Sequence, residues 1–287
     1  NIIMFKKGEV LLLFTAIIWG TAFIFQSISA ELIGPFLFNG SRFFLGGLVI
    51  LPFLFKKDPN SDFKKEIQSG IILGIIMFIA PNLQQFAMAN TSAGKAGFMT
   101  SLYIILVPIL SFIFLKKRIS KRIFISLVLA MIGLYLLCGA SLDFRLSDIS
   151  LILCAFFFAL QIIVVEHYVK WVNPLKMSCL QYLIAGGLSL ICAFIFEDLN
   201  LTNYASALPS ILYTGIFSTA VAYTLQVIGQ KTVDATVASI IMSLESTIAA
   251  LSGYIFLHQS LSLYEIEGSI LMFCAVILSQ LPSRIKE

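Results

Sequence analysis

The sequence predicts an all-α polytopic membrane protein, with ten transmembrane helices arranged as two inverted five-helix repeats. Three observations lead there. The first is composition: of 287 residues, 59% are hydrophobic and only 12% are charged. A soluble domain is about half apolar and about a quarter charged, so this chain has too little polar surface to cover a globule in water. It is also too apolar to be disordered. The second is a run of ten apolar segments joined by short polar connections. The third is internal similarity between the two halves.

A helix that crosses the hydrocarbon core needs roughly 20 mostly apolar residues. Segments 9–28, 36–55, 67–88, 94–115, 122–139, 148–168, 175–196, 207–228, 234–257 and 263–281 meet that requirement, and no window is left for a separate soluble domain. Lys6 and Lys7 precede the first apolar run in the manner of a signal peptide. That run is as long as a full span and further spans follow, so it reads as an uncleaved first helix. Helices are favoured over a barrel because runs such as "LLLFTAIIWGTAFIF" do not alternate as barrel strands must.

The net charge of +4 informs mainly through its placement. With the N-terminus in the cytoplasm, 16 of the 19 Lys and Arg residues fall on the cytoplasmic side, leaving Arg42, Lys95 and Arg145. The positive-inside rule therefore places both termini in the cytoplasm of a multi-pass cell-membrane (inner or plasma membrane) protein. The loop "KKRISKR" (116–122) is the strongest anchor and reads as topogenic rather than as a nucleic-acid patch. Cys138, Cys154, Cys179, Cys192 and Cys274 lie in apolar stretches without a CxxC or Cys/His cluster, so they read as packing residues. No metal site and no cofactor is expected.

The halves align when the chain is displaced along itself. "TSLYIILVPILSFIFLKKRIS" (100–120) matches "MSLESTIAALSGYIFLHQSLS" (242–262) at an offset of 142, which also pairs Gln84 with Gln226 and Tyr103 with Glu245. "LGGL" (45–48) meets "AGGL" (185–188) at 140. The repeats run over 8–140 and 147–282. Five spans is an odd number, so the second repeat enters the membrane upside down relative to the first. Inverted repeats recur in secondary transporters, with the binding site near the midplane between them.

The stretches "IIWGTAFIFQ" (17–26), "NGSRFFLGGL" (39–48), "SLYIILVPILSFIFLKKRIS" (101–120), "AYTLQVIGQKTVDATVAS" (222–239) and "SLESTIAALSGYIFL" (243–257) resemble the ten-span drug/metabolite transporter superfamily, in its form with two EamA-type halves. The resemblance covers about residues 8–280. It implies export of small metabolites or drugs, amino acids among them, by a single chain in the bilayer. Two positions depart from the family pattern. Ser246 stands where a proline often follows the glutamate, and His258-Gln259 stand where Gly-Glu often ends that helix.

Polar residues at depth are the candidate site. Glu245 lies near the centre of an otherwise uncharged stretch, where a charge on a lone helix costs roughly 2.5–3.5 kcal/mol. It is expected to face a wet cavity or a partner, either to bind an ammonium group, to exchange a proton, or to lock helices together. Tyr103, its repeat partner, offers a ring and a hydroxyl to the same cavity. Trp19 lies mid-span, away from the interface that tryptophan prefers, and Phe23 shares its helix face. Asn82, Gln84 and Gln85 follow the helix-kinking Pro81, and Tyr223 and Gln226 offer similar handles in the eighth span. Each amide also reads as interhelical glue. Arg42, close to the outer end of its span, reads as snorkelling, pairing with Glu31, or attracting a carboxylate. Glu166, His167, His258, Glu265 and Glu267 sit at helix ends and read as solvated. The Gly46-Gly47 and Gly186-Gly187 pairs read as sites of close helix approach.

These residues support substrate binding at Trp19, Phe23, Asn82, Gln85, Tyr103, Tyr223, Gln226 and Glu245, with no catalytic residues. No GxxxxGK[ST] loop supplies ATP drive. A membrane enzyme would need a convergent acid/base or metal set, and a channel would show a ring of like polar groups. Both remain weaker alternatives to a carrier.

Overall fold

The structure is a computed structural model that describes residues 6–56, 58–59, 61–137, 146–257 and 262–280. Lys57, Cys138, Arg145, His258, Gln259, Arg284 and Lys286, together with the side chain of Glu265, lie outside the described residues. Every regular element among the described residues is helical.

The chain enters on α1 (Lys7–Ala30), whose Glu9 accepts the Lys6 N–H at 2.7 Å and closes the first turn. Helix α2 (Pro35–Leu54) starts on a proline whose missing N–H would be unpaired there in any case. The next two N–H groups, of Phe36 and Leu37, donate to the Glu197 carboxylate at 2.7 and 2.8 Å. Helix α3 (Phe63–Met88) is capped by Asp62. Then come α4 (Ala93–Thr100), α5 (Tyr103–Leu115) and α6 (Lys121–Leu137).

The second half holds α7 (Leu146–Tyr168) and α8 (Pro174–Phe196), the latter capped by Asn173. Helices α9 (Leu201–Tyr213) and α10 (Thr224–Gln230) are joined into one rod by a π-helical segment, Thr214–Tyr223. Helices α11 (Ala235–Met242), α12 (Leu244–Leu257) and α13 (Leu263–Gln280) complete the order. Eight of these rods are long and apolar enough to cross a membrane by length and composition; the apolar stretch of α13, Ile266–Ser279, is shorter.

The distribution of polarity is that of a multi-pass membrane protein. Phe114, Phe124 and Phe194 point outward at 60% exposure or more, while Asn39, Gln161, Gln181 and Glu245 are buried. In water such an apolar exterior would aggregate. In lipid it is the favourable arrangement, and the polar groups turn inward where they can be paired.

Helix α2 packs on α8, and α6 on α13. Helix α3 lies against α7 and α8, and α1 lies against the α9–α10 rod, α11 and α12. Two glycines illustrate how closely these helices approach. A Cβ on Gly186 would stand 2.6 Å from the Phe44 backbone nitrogen, and one on Gly20 would stand 2.4 Å from Ile248 Cβ. The expected close approach of the glycine pairs holds at Gly46, Gly47 and Gly186, whereas Gly187 faces open space.

Glu166 corrects the reading of solvated helix ends. It is buried, pairs with Lys117 and accepts the Ala235 N–H at 3.1 Å. The first N–H groups of α11 have no partner within their own helix, and a carboxylate there also meets the positive end of the helix dipole. His167 and Glu267 are exposed, as read from the sequence.

Candidate functional site

Two of the expected spans are broken midway, at positions the sequence alignment of the two halves pairs with each other. One falls at Ser101-Leu102 between α4 and α5, the other at Ser243 between α11 and α12. The second break forms without the proline common in the family. Ser246 stands in its place, and its hydroxyl donates to the Ser243 carbonyl at 2.7 Å. Ser243 donates in turn to the Ile240 carbonyl at 2.7 Å. Local side chains thus satisfy carbonyls that the interruption frees.

The breaks place Tyr103 and Glu245 in the first turns of new helices deep in the protein. A carboxylate in a first helical turn is favoured by the dipole, which gives Glu245 a physical reason to sit there. Ser101 donates to Glu245 Oε1 at 3.4 Å. The buried Tyr103 hydroxyl lies beside the same carboxylate without completing a hydrogen bond.

Glu245 and Tyr103 open onto a cavity with about 410 Å³ of space unfilled by atoms, its mouth included. Helix α1 lines it with Trp19, Phe23 and Gln26; α7 with Phe158 and Gln161; and the π-helical segment with Ser218 and Tyr223. The Trp19 indole N–H donates to the Ser218 carbonyl at 3.3 Å, and its ring centroid lies 4.5 Å from that of Tyr223. Phe43 adds a ring 6.2 Å beyond Tyr223. Among the described residues no group of three or more His, Cys, Asp or Glu is placed to hold a metal ion.

Five of the eight residues read as substrate-binding share this lining: Trp19, Phe23, Tyr103, Tyr223 and Glu245. The other three sit behind or beside it in hydrogen bonds between helices. Asn82 receives Asn39 Nδ2 at 2.9 Å and donates to Phe78 O and to Ser189 Oγ. Gln85 donates to the Gln26 carbonyl at 2.9 Å and to Ser29 Oγ at 3.2 Å. Gln226 donates to Gln161 Oε1 and Gln230 Oε1. Helix period alone places an amide at the right depth but does not say whether it meets a partner or a void.

Arg42, like Glu166, lies where the sequence reading did not place it. Only 2% of it is exposed, so it does not snorkel, and it pairs with neither Glu31 nor any other described carboxylate. Its guanidinium lies 4.8 Å from the Phe43 ring and 5.4 Å from the Phe38 ring, its Nε has no acceptor, and it lines the cavity. Its depth along α2 suggested an interfacial residue; the helix face it occupies, turned toward the second half, decides otherwise.

The geometry describes a helical membrane protein with a polar-tipped aromatic cavity between its helices. A sequence profile of the EamA-like transporter family matches residues 6–139 and again 145–281. The chain belongs to the EamA-like transporter family, whose members move solutes across membranes. A transporter of Archaeoglobus fulgidus, itself named as uncharacterized, is 34% identical over 93% of this chain and 83% of its own length. The uncharacterized transporter YoaV of Bacillus subtilis is 21% identical over 92% and 93%. The WAT1-related chloroplastic protein At3g02690 of Arabidopsis thaliana is 25% identical over 92% and 67%. A solved crystal structure superposes with a TM-score of 0.75, 17% identity and 96% of both chains covered, which shows a shared fold.

Proposed function

We propose that the chain is a secondary transporter that exports small amphipathic metabolites, amino acids among them, by alternating access around this cavity. The observation that carries the reading is that the cavity wall comes from both halves of the chain, with α1, α2, α3 and α5 facing α7, the π-helical segment and α12. Such a wall changes shape when one half rocks against the other.

The helix packing supports two inverted repeats, 8–140 and 147–282, and ten spans. Contacts between halves come in exchanged pairs. Helix α3 on α7 has its counterpart in the α9–α10 rod on α1, and α5 on α7 has its counterpart in α12 on α1. Equivalent helices meet as α2 on α8 and α6 on α13. A two-fold relation produces that pattern, and an odd number of spans per repeat turns the axis into the membrane plane. The charge distribution supports cytoplasmic termini in a cell membrane. A single chain encloses the whole cavity, which supports a monomer.

In this reading Trp19, Phe23, Tyr103 and Tyr223 hold the apolar body of the cargo, and Glu245 takes an ammonium group or a proton. The deciding experiment is counterflow in proteoliposomes with a panel of metabolites, with and without a pH gradient. Saturable exchange is expected. Flux that rises linearly with concentration and shows no counterflow would indicate a channel instead.

A further inference from the structure

A buried guanidinium with no anion is an unfinished interaction. Burial removes the water that would hydrate its charge, and a buried charge persists only when paired or otherwise compensated. Arg42 has the ring faces of Phe38 and Phe43 for its cation, which is partial compensation, and an Nε without an acceptor. The remaining acid of the cavity wall, Glu245, does not pair with it. Arg42, Tyr223 and Glu245 line one chamber, with no ion pair between the guanidinium and the acid.

Arg42, Tyr223 and Trp19 line the same cavity; Phe43, buried against Arg42 outside the lining, sets its ring 6.2 Å from that of Tyr223, which lies 4.5 Å from that of Trp19. A guanidinium offers planar, paired donors that match a carboxylate. We infer that Arg42 is the carboxylate-holding subsite of the cavity, and that the cargo is a carboxylate-bearing small molecule with a ring-sized apolar body seated against Tyr223 and Trp19. The inference rests on the transport reading for its cargo, but the subsite itself is tested by binding alone.

Trp19 and Trp171 are the two tryptophans of the chain. In a Trp171→Phe background, fluorescence therefore reports on the cavity. The purified full chain is titrated with 3-phenylpropionate and with its neutral amide, 3-phenylpropanamide, which share a ring and differ in charge. The unsubstituted site is expected to prefer the carboxylate by about tenfold or more, the usual worth of a charge-assisted hydrogen bond. Arg42→Gln is expected to erase that preference while leaving amide binding within about twofold; Arg42→Lys keeps the charge, loses the fork, and is expected to fall between them.

Equal affinity for acid and amide in the unsubstituted site, or no binding of the acid, overturns the subsite without any cavity variant having to fold. A preference that survives Arg42→Gln overturns it as well. Arg42-dependent carboxylate binding without counterflow would leave the subsite standing and refute transport; counterflow indifferent to Arg42 would do the reverse.

Discussion

The indole N–H of Trp19 meets the carbonyl of Ser218 at 3.3 Å, tying α1 to the π-helical segment across a sequence separation of 199 residues. The hydrogen bond sits on the cavity wall and joins the two halves of the chain in this conformation. Trp19→Phe keeps a ring beside Tyr223 and deletes only the donor. A stability loss of about 1 kcal/mol is expected, read as a lower thermal midpoint in detergent, with ring-bearing cargo still bound. Trp19→Ala should in addition lose cargo affinity, read by equilibrium dialysis of radiolabelled 3-phenylpropionate, because the stacking surface goes with the donor.

Glu245→Gln should fold, since Ser101 can donate to an amide carbonyl as it does to the carboxylate. Counterflow is expected to persist or weaken, and any acceleration by an imposed pH gradient is expected to vanish, because an amide does not exchange the proton. A variant whose flux tracks the gradient as the unsubstituted protein does would remove Glu245 from coupling and leave it a packing residue.

Two glycine substitutions should diverge. Gly20→Ala puts a Cβ 2.4 Å from Ile248 Cβ and 2.8 Å from the Glu245 carbonyl oxygen, prising α1 from α12. A loss of about 1–3 kcal/mol is expected from such overpacking, seen as a lower thermal midpoint. Gly187→Ala meets nothing within 4 Å and should be neutral, or stabilising by up to about 1 kcal/mol through helix propensity.

At the junction of α5, α7 and α11, Lys117→Ala and Glu166→Ala should both destabilise. Lys117 is part-exposed but Glu166 is buried, so removing the lysine leaves a buried carboxylate without its cation, at about 1–3 kcal/mol. Removing Glu166 strands the buried Ala235 N–H, at about 1–3 kcal/mol. Glu166→Gln in the Lys117→Ala background removes the stranded charge and keeps an acceptor for Ala235, so thermal midpoints in one detergent should show part of the loss recovered.

Hydropathy and charge made the helical membrane class, the apolar helices and the buried Glu245 legible in the sequence. Each follows from a cost that acts on the chain locally: an unpaired backbone group in lipid, or an acid without water, is expensive wherever it lies. The fate of individual side chains depended on facing. Asn82, Gln85 and Gln226 resemble Gln26 and Gln84 by residue type and depth, and all five meet interhelical partners, yet only the latter two also reach the cavity wall. Arg42 lies close to an interface by count of residues, but the crossing of α2 over α8 turns it into the chamber. The same holds for the breaks at Ser101-Leu102 and Ser243, which no proline marks. Local terms could be read along one dimension. Which groups share a void, and which charge goes without a partner, was decided only when distant helices packed against each other.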